Sequence, residues 1–265
     1  MTIIYGIEYI PVFVTIVFVL NRLFYIADTA KLVIKIFSEI SNFFTFLLRP
    51  FLPCRDGVIK VNWGRTLTLP TVLVILQMPI WLSLDRLKLA FDLASQRVDI
   101  QQLPPTFFLL VLVGPVIEEF IFRAGLRNPF VCLIAIPSIA LLAYFSPIFP
   151  FFPVYLGFFL LIAFAIYLYT IDRVKFLVCR YFCKSYNYFF YVTVLSFAAF
   201  HIPSGSINNA HQALLQLALV SPYVVTGGLL GYLRLRNGML SCIAAHSTMN
   251  FLSFIGIIFF AKLNV

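Results

Sequence analysis

Two adjacent carboxylates, Glu118 and Glu119, sit in the run GPVIEEFIFRAG, and no charge precedes them back to Thr106. Carboxylates in such a run are costly unless something pairs with them or uses them. Helix geometry gives the two different jobs. Glu119 and Arg123 are four residues apart, so they share a face and can form an ion pair. Glu118 points about 100° away, and its i+4 neighbour is Phe122, which leaves it for another use. The three histidines, His201, His211 and His246, all follow. His201 shares a helical face with Phe197, and His246 with Asn250, each pair one turn apart. His211 opens an apolar segment at a water boundary and reads as a solvated helix-start residue. A partnerless glutamate, two histidines and an asparagine supply a base for water and donors for an oxyanion, the two needs of amide hydrolysis. The bland reading of the Glu118–Glu119 pair is a buried salt bridge that fixes helix packing.

The elements that must position these residues follow from composition. Of 265 residues 62% are hydrophobic and 11% charged, against about 25% charged in a soluble domain. Too few polar residues remain to coat a water-facing surface. Apolar runs near 20 residues match a bilayer core of about 30 Å, and they are continuous, which favours helices over a barrel. The chain therefore reads as an all-α, polytopic membrane protein. Eight spans are expected, at 7–26, 67–84, 106–125, 129–147, 150–171, 186–202, 211–233 and 238–260. Breakers separate several of them: Asn128-Pro129, Pro147, Pro150 and Pro153, the Pro203–Gly205 stretch, and Asn237-Gly238. No basic residue precedes the first run, which reads as a retained span and not a cleavable signal. Residues 29–53 carry Lys31, Lys35 and Glu39 at four-residue spacing, so an amphipathic N-terminal helix on the cytoplasmic surface is expected. Residues 172–185 read as a basic loop that contains Asp172.

No repeat or linker interrupts the chain, so residues 1–265 read as one integral membrane domain with a motif-bearing core at about 106–260. The odd-numbered loops carry 15 basic residues and the other side 4, which puts the odd loops in the cytoplasm. This bias and anionic lipid account for the net charge of +9 without a nucleic-acid partner. The five cysteines are odd in number and scattered, and read as reduced, packed thiols. At 1.5 Å per residue, Glu118 and His246 lie about 12 Å from the cytoplasmic side and His201 about 21–24 Å. To meet them, the sixth segment must begin later than 186 or tilt strongly.

Several catalytic patterns are absent from the sequence: HExxH, GxSxG, a P-loop lysine motif, GxGxxG and paired aspartates on neighbouring spans. What is present, in order, is Glu118-Glu119-xxx-Arg123, Phe197-xxx-His201 and His246-xxx-Asn250. This arrangement resembles the three motifs of the CAAX prenyl protease and bacteriocin-processing (CPBP, or Abi) family of intramembrane endopeptidases, of the type II CAAX protease kind. The likeness covers 118–250, about half the chain, and not the first 100 residues. It implies that Glu118 and His201 hold and deprotonate a water, that His246 and Asn250 stabilise the oxyanion, and that Arg123 locks Glu119. Glu118, His201 and His246 are also zinc ligands by type. The family has been described both as metalloproteases and as glutamate-dependent proteases, and the reading preferred here is a glutamate–histidine water without an obligatory metal. The implied partners are membrane lipids and a peptide or protein substrate, lipid-modified in the family's eukaryotic prototype. The implied location is a membrane, the plasma (inner) membrane in a prokaryote.

Two other functions compete. A non-catalytic scaffold or regulator would keep the family fold and use the motifs as packing. A transporter would use Glu118 and the histidines as a proton relay. Transporters usually carry paired repeats, whereas the acidic and histidine residues here form one group in the second half of the chain.

Overall fold

The computed structural model describes residues 29–53, 61–90, 107–134, 151–202 and 210–263. The first expected span, the Pro203–Gly205 breaker and 135–147 of the fourth span lie outside the described residues. Helix accounts for 92% of the structure, with no strand among the described residues, which establishes the all-α class. The helices labelled here are α1 (Thr29–Leu48), α2 (Trp63–Ala90), α3 (Gly114–Arg123), α4 (Phe151–Thr170), α5 (Asp172–Lys184), α6 (Tyr186–Phe200), α7 (Ala210–Asn237) and α8 (Met239–Leu263), and residues 129–134 are helical as well. A π-helical turn, Leu109–Val113, leads into α3, and a 3-10 turn, Ala124–Arg127, leads out of it. Among the described residues two stretches are long and apolar enough to cross a membrane, Ala213–Asn237 in α7 and Met239–Gly256 in α8. Phe159–Thr170 and Tyr186–Phe200 are apolar but shorter.

The chain divides into two compact units, Met1–Asn42 and Phe43–Val265. In the first, α1 exposes both Lys35 and the apolar Val33, Ile34 and Phe37. All the motif residues belong to the second.

At the centre of the second unit is α7, which packs on α2, α3, α6 and α8. Pro222 interrupts it and removes the donor that Ala218 O would use. The Ser221 hydroxyl replaces that donor at 2.8 Å, and Gln77 of α2 donates to Pro222 O at 3.1 Å. Close approach of α6 requires Gly227 and Gly231, one turn apart. A methyl at Gly227 would lie 3.0 Å from Phe197, and one at Gly231 2.7 Å from Phe190. Small residues at this spacing let helix backbones meet where hydrophobic driving force is weak.

One end of this unit is closely tied. Gly238, at φ 91°, turns α7 into α8. Asn237 beside it accepts from Arg65 Nη1 at 3.1 Å and donates to Asn62 O at 3.4 Å, and Thr66 shares a hydroxyl hydrogen bond with Ser241. Tyr186 donates to Leu126 O at 3.0 Å, Arg234 Nε to Arg123 O at 3.2 Å, and Tyr191 to Leu47 O at 2.6 Å. Phe46 packs on Phe51, Phe190 and Tyr232. These contacts gather the chain near 46–51, 62–66, 123–127, 186–191 and 232–241.

Residues 172–184 form a helix and not the expected loop. The stretch holds no glycine or proline, starts with Asp172 and ends with Lys184, charges that suit the helix dipole at each end. Val174, Val178 and buried Phe182 give it an inward face at four-residue spacing.

Candidate functional site

Glu119 anchors the site. It is fully buried on α3, and its Oε1 lies 3.3 Å from Arg123 Nη1, the i,i+4 partner expected from spacing. Two further groups reach the same carboxylate from α8. His246 Nδ1 donates to Oε1 at 2.8 Å, and the Cys242 thiol donates to Oε2 at 2.6 Å. Arg123, also buried, lies with its guanidinium 3.9 Å from the centroid of the Phe197 ring. A cation over an aromatic face in a water-poor site is attracted by the ring quadrupole. Phe197 thus bridges α3 and α6, and its ring also meets those of Phe122 and His246 edge-on.

Glu118 points elsewhere, as its 100° offset requires. Its Oε2 is buried without a hydrogen-bond partner. It faces His201 Nε2 at 3.9 Å and His246 Nε2 at 3.8 Å. Three elements far apart in the chain therefore bring the three groups together: α3, the C-terminus of α6 and the middle of α8. Both imidazoles are oriented by their other nitrogen. His201 Nδ1 lies 2.8 Å from Phe197 O, and a carbonyl can only accept, so Nδ1 carries the hydrogen. His246 Nδ1 donates to Glu119 in the same way. Both Nε2 atoms therefore present lone pairs to Glu118.

The sixth helix reaches this level without a late start, since α6 begins at Tyr186. Its 15 residues give a length of about 22 Å, less than a bilayer core. His201 is its C-cap, so the ring sits where the helix stops inside the bundle. Tyr223 of α7 stacks on that ring at 4.2 Å and 23°, and Trp81 of α2 meets Tyr223 edge-on at 5.2 Å. His211 lies in the first turn of α7, away in sequence from the convergent motifs.

Asn250 lies one turn past His246 on α8, and its Nδ2 donates to Leu110 O at 2.8 Å. The local backbone explains why. In the π-helical turn Gly114 N–H bonds to Leu109 O and is unavailable to Leu110. The next donor in that register would be residue 115, which is proline. Leu110 O is left without a main-chain donor, and Asn250 supplies one. One amide hydrogen of Asn250 is thereby engaged in holding the turn that leads into Glu118.

Two imidazole lone pairs and an unpartnered carboxylate oxygen fit zinc in donor type. Their 3.8–3.9 Å separations exceed the roughly 3.3 Å edge of a tetrahedron with bonds near 2.0–2.1 Å. Among the described residues no group of three or more such side chains is drawn together tightly enough to be a preformed metal site. Comparison of the chain with protein-family models, curated proteins and solved structures finds no match.

Sequence reasoning missed Cys242, Tyr223 and the Asn250–Leu110 bond. Cys242 carried a weak signal, since it stands four residues before His246 and shares its helical face. Tyr223 carried none, because nothing in the sequence around it relates it to residue 201.

Proposed function

We propose that this chain is a multi-pass membrane endopeptidase that hydrolyses a peptide bond with a water activated by Glu118 and His201. The single observation that carries the reading is the buried, unbonded Glu118 Oε2 facing two imidazoles whose Nε2 atoms are free to accept. A buried carboxylate oxygen with no hydrogen bond is costly; a reacting water offsets that cost. A water between Glu118 and His201 gives up a proton to this pair as its oxygen attacks the carbonyl carbon. The second amide hydrogen of Asn250 is the donor for the developing oxyanion, and His246 becomes one when its Nε2 takes up a proton. Glu119, Arg123 and Phe197 hold these donors in position. Were zinc bound, Glu118, His201 and His246 would hold it, and it would supply Lewis acidity to water and carbonyl. The mechanism proposed here does not require it.

The membrane topology is part of the same reading: about eight spans with odd loops in the cytoplasm, the membrane being the plasma (inner) membrane if the source is a prokaryote. The tied end of the second unit supports it, since its hydrogen bonds join ends of loops 1, 3, 5 and 7. The substrate is a peptide entering from that side.

The test is cleavage of a peptide panel, with and without a lipid-modified C-terminal cysteine, by the purified chain in lipid nanodiscs. Wild type should cut and Glu118→Ala should not, with equal helical content and equal thermal stability. No cleavage by wild type across the panel, with the fold intact, would favour a scaffold. That second reading has its own support, because Glu119 holds Arg123, His246 and Cys242 together across α3 and α8, as a purely structural network would.

A further inference from the structure

A second polar feature lies at the tied end, a helix length away from Glu118. A cavity of about 430 Å³ opens between the end of α1 and the α5–α6 junction. Its walls include Leu48, Arg49, Phe51, Lys184, Tyr186 and Asn187. The volume falls within the ~300–1,000 Å³ of small-molecule sites. Arg49 and Lys184 are its two charges, no acidic side chain lines it, and neither cation has a carboxylate partner among the described residues. A third cation stands behind one wall: the Arg236 guanidinium lies 5.6 Å from the Phe51 ring centroid, with Nε buried and unbonded. The walls are also fixed. Tyr191 ties Leu47 to α6, and Phe46 wedges between Phe51 and Phe190.

The chemistry of the cavity is that of an anion site. α6 begins here with Ser185 making no side-chain cap; the Tyr188 and Phe189 amides already donate to Ser185 O, so those of the cavity-lining Tyr186 and Asn187 are the ones left beside the two cations. Helix N-termini attract anions through these orphan donors. The rim adds an apolar component, with Leu48 79% and Phe51 50% exposed. Cations above and apolar side chains beside them match the headgroup level of a bilayer.

We infer that this cavity binds the phosphate of an anionic phospholipid, with Arg49, Lys184 and the α6 N-terminus on the phosphate and the acyl chains against Leu48 and Phe51. The distance along α6 to His201, about 22 Å, makes it a site separate from the one around Glu118. It holds whether or not the chain is a protease.

The experiment uses the full chain in detergent, with thermal stability and native mass spectrometry as readouts. The probes are short-chain phosphatidic acid, short-chain phosphatidylcholine and inorganic phosphate. The variant is Arg49→Gln/Lys184→Gln. Its control is Arg173→Gln/Arg180→Gln, which removes the same charge from exposed positions of α5. Phosphatidic acid should stabilise wild type and control and stay bound in the spectrometer. Its affinity should fall on the order of 10-fold or more in R49Q/K184Q, while helical content without lipid is unchanged. Equal responses from both variants, or no preference for phosphatidic acid over phosphatidylcholine, would overturn the inference. A full shift from inorganic phosphate alone would keep the anion site and exclude a lipid as its source.

Discussion

Two glutamates one residue apart have opposite relations to their surroundings. Glu119 receives two hydrogen bonds and an ion pair from Arg123 and is fully buried, whereas Glu118 Oε2 receives no hydrogen bond. Neutral replacement should therefore separate them. Glu118→Gln removes a base but breaks no bond to Oε2, so cleavage should fall by about 10²–10⁴ with little change in melting temperature. Glu119→Gln leaves Arg123 buried without its counter-charge and should destabilise by about 3 kcal/mol. Peptide turnover and thermal unfolding, measured on both variants, check the split; equal loss of stability in the two would contradict it. At this scale much was readable in the sequence. Spacing alone separated Glu118 from Glu119 and paired the latter with Arg123. Cys242 and His246 as partners of Glu119 were not readable, because they lie 123 and 127 residues away. The hydrogen-bonding power of a thiol becomes visible only when its surroundings exclude water.

At the scale of elements, the third expected span is not a regular helix. Its π-helical turn exists beside Pro115, and Asn250 compensates the carbonyl that results. This makes a specific double variant informative. Asn250→Leu should lower both stability and cleavage, since Leu110 O is left unbonded. Adding Pro115→Ala restores an N–H at 115 and should recover part of the stability, with a coupling of about 0.5–1 kcal/mol. If cleavage returns together with stability, Asn250 acts by positioning the turn. If stability returns and cleavage does not, the second amide hydrogen is needed at the reacting carbonyl. The α6–α7 contact gives another prediction. Gly231→Ala forces a methyl against Phe190 and should cost about 1–3 kcal/mol, with His201 at the far end of α6 shifted and cleavage reduced. The glycines, prolines and apolar runs were plain in the sequence and set most helix limits within a few residues. The π-helical turn was not, since it depends on which donor meets which carbonyl. The helix 172–184 was missed because charge was weighed above its four-residue apolar spacing.

For the whole molecule, the question is which ends of the helices face the same water. The proposed topology answers it by counting basic residues; the hydrogen bonds of Tyr186 with Leu126, of Asn237 with Asn62 and Arg65, and of Arg234 with Arg123 put those helix ends together at one end of the second unit. A labelling experiment tests the combined reading. In a variant whose remaining cysteines are replaced, exposed Cys183 should react with a membrane-impermeant maleimide only from the cytoplasmic side. A cysteine introduced at Ile148 should react only from the other. Reaction of both from one side would remove the fourth and fifth spans from the topology.

The orientation of the two imidazoles has one more consequence. With each ring hydrogen turned away toward Phe197 O and Glu119, the nook beside Glu118 has three electron pairs and no hydrogen of its own. A lone water brings two hydrogens, one short of the number that would satisfy all three atoms. A second donor, such as a substrate N–H, completes the nook under the proposed chemistry. The proton taken from the attacking water is then held there until the carbon–nitrogen bond breaks and the departing amine takes it.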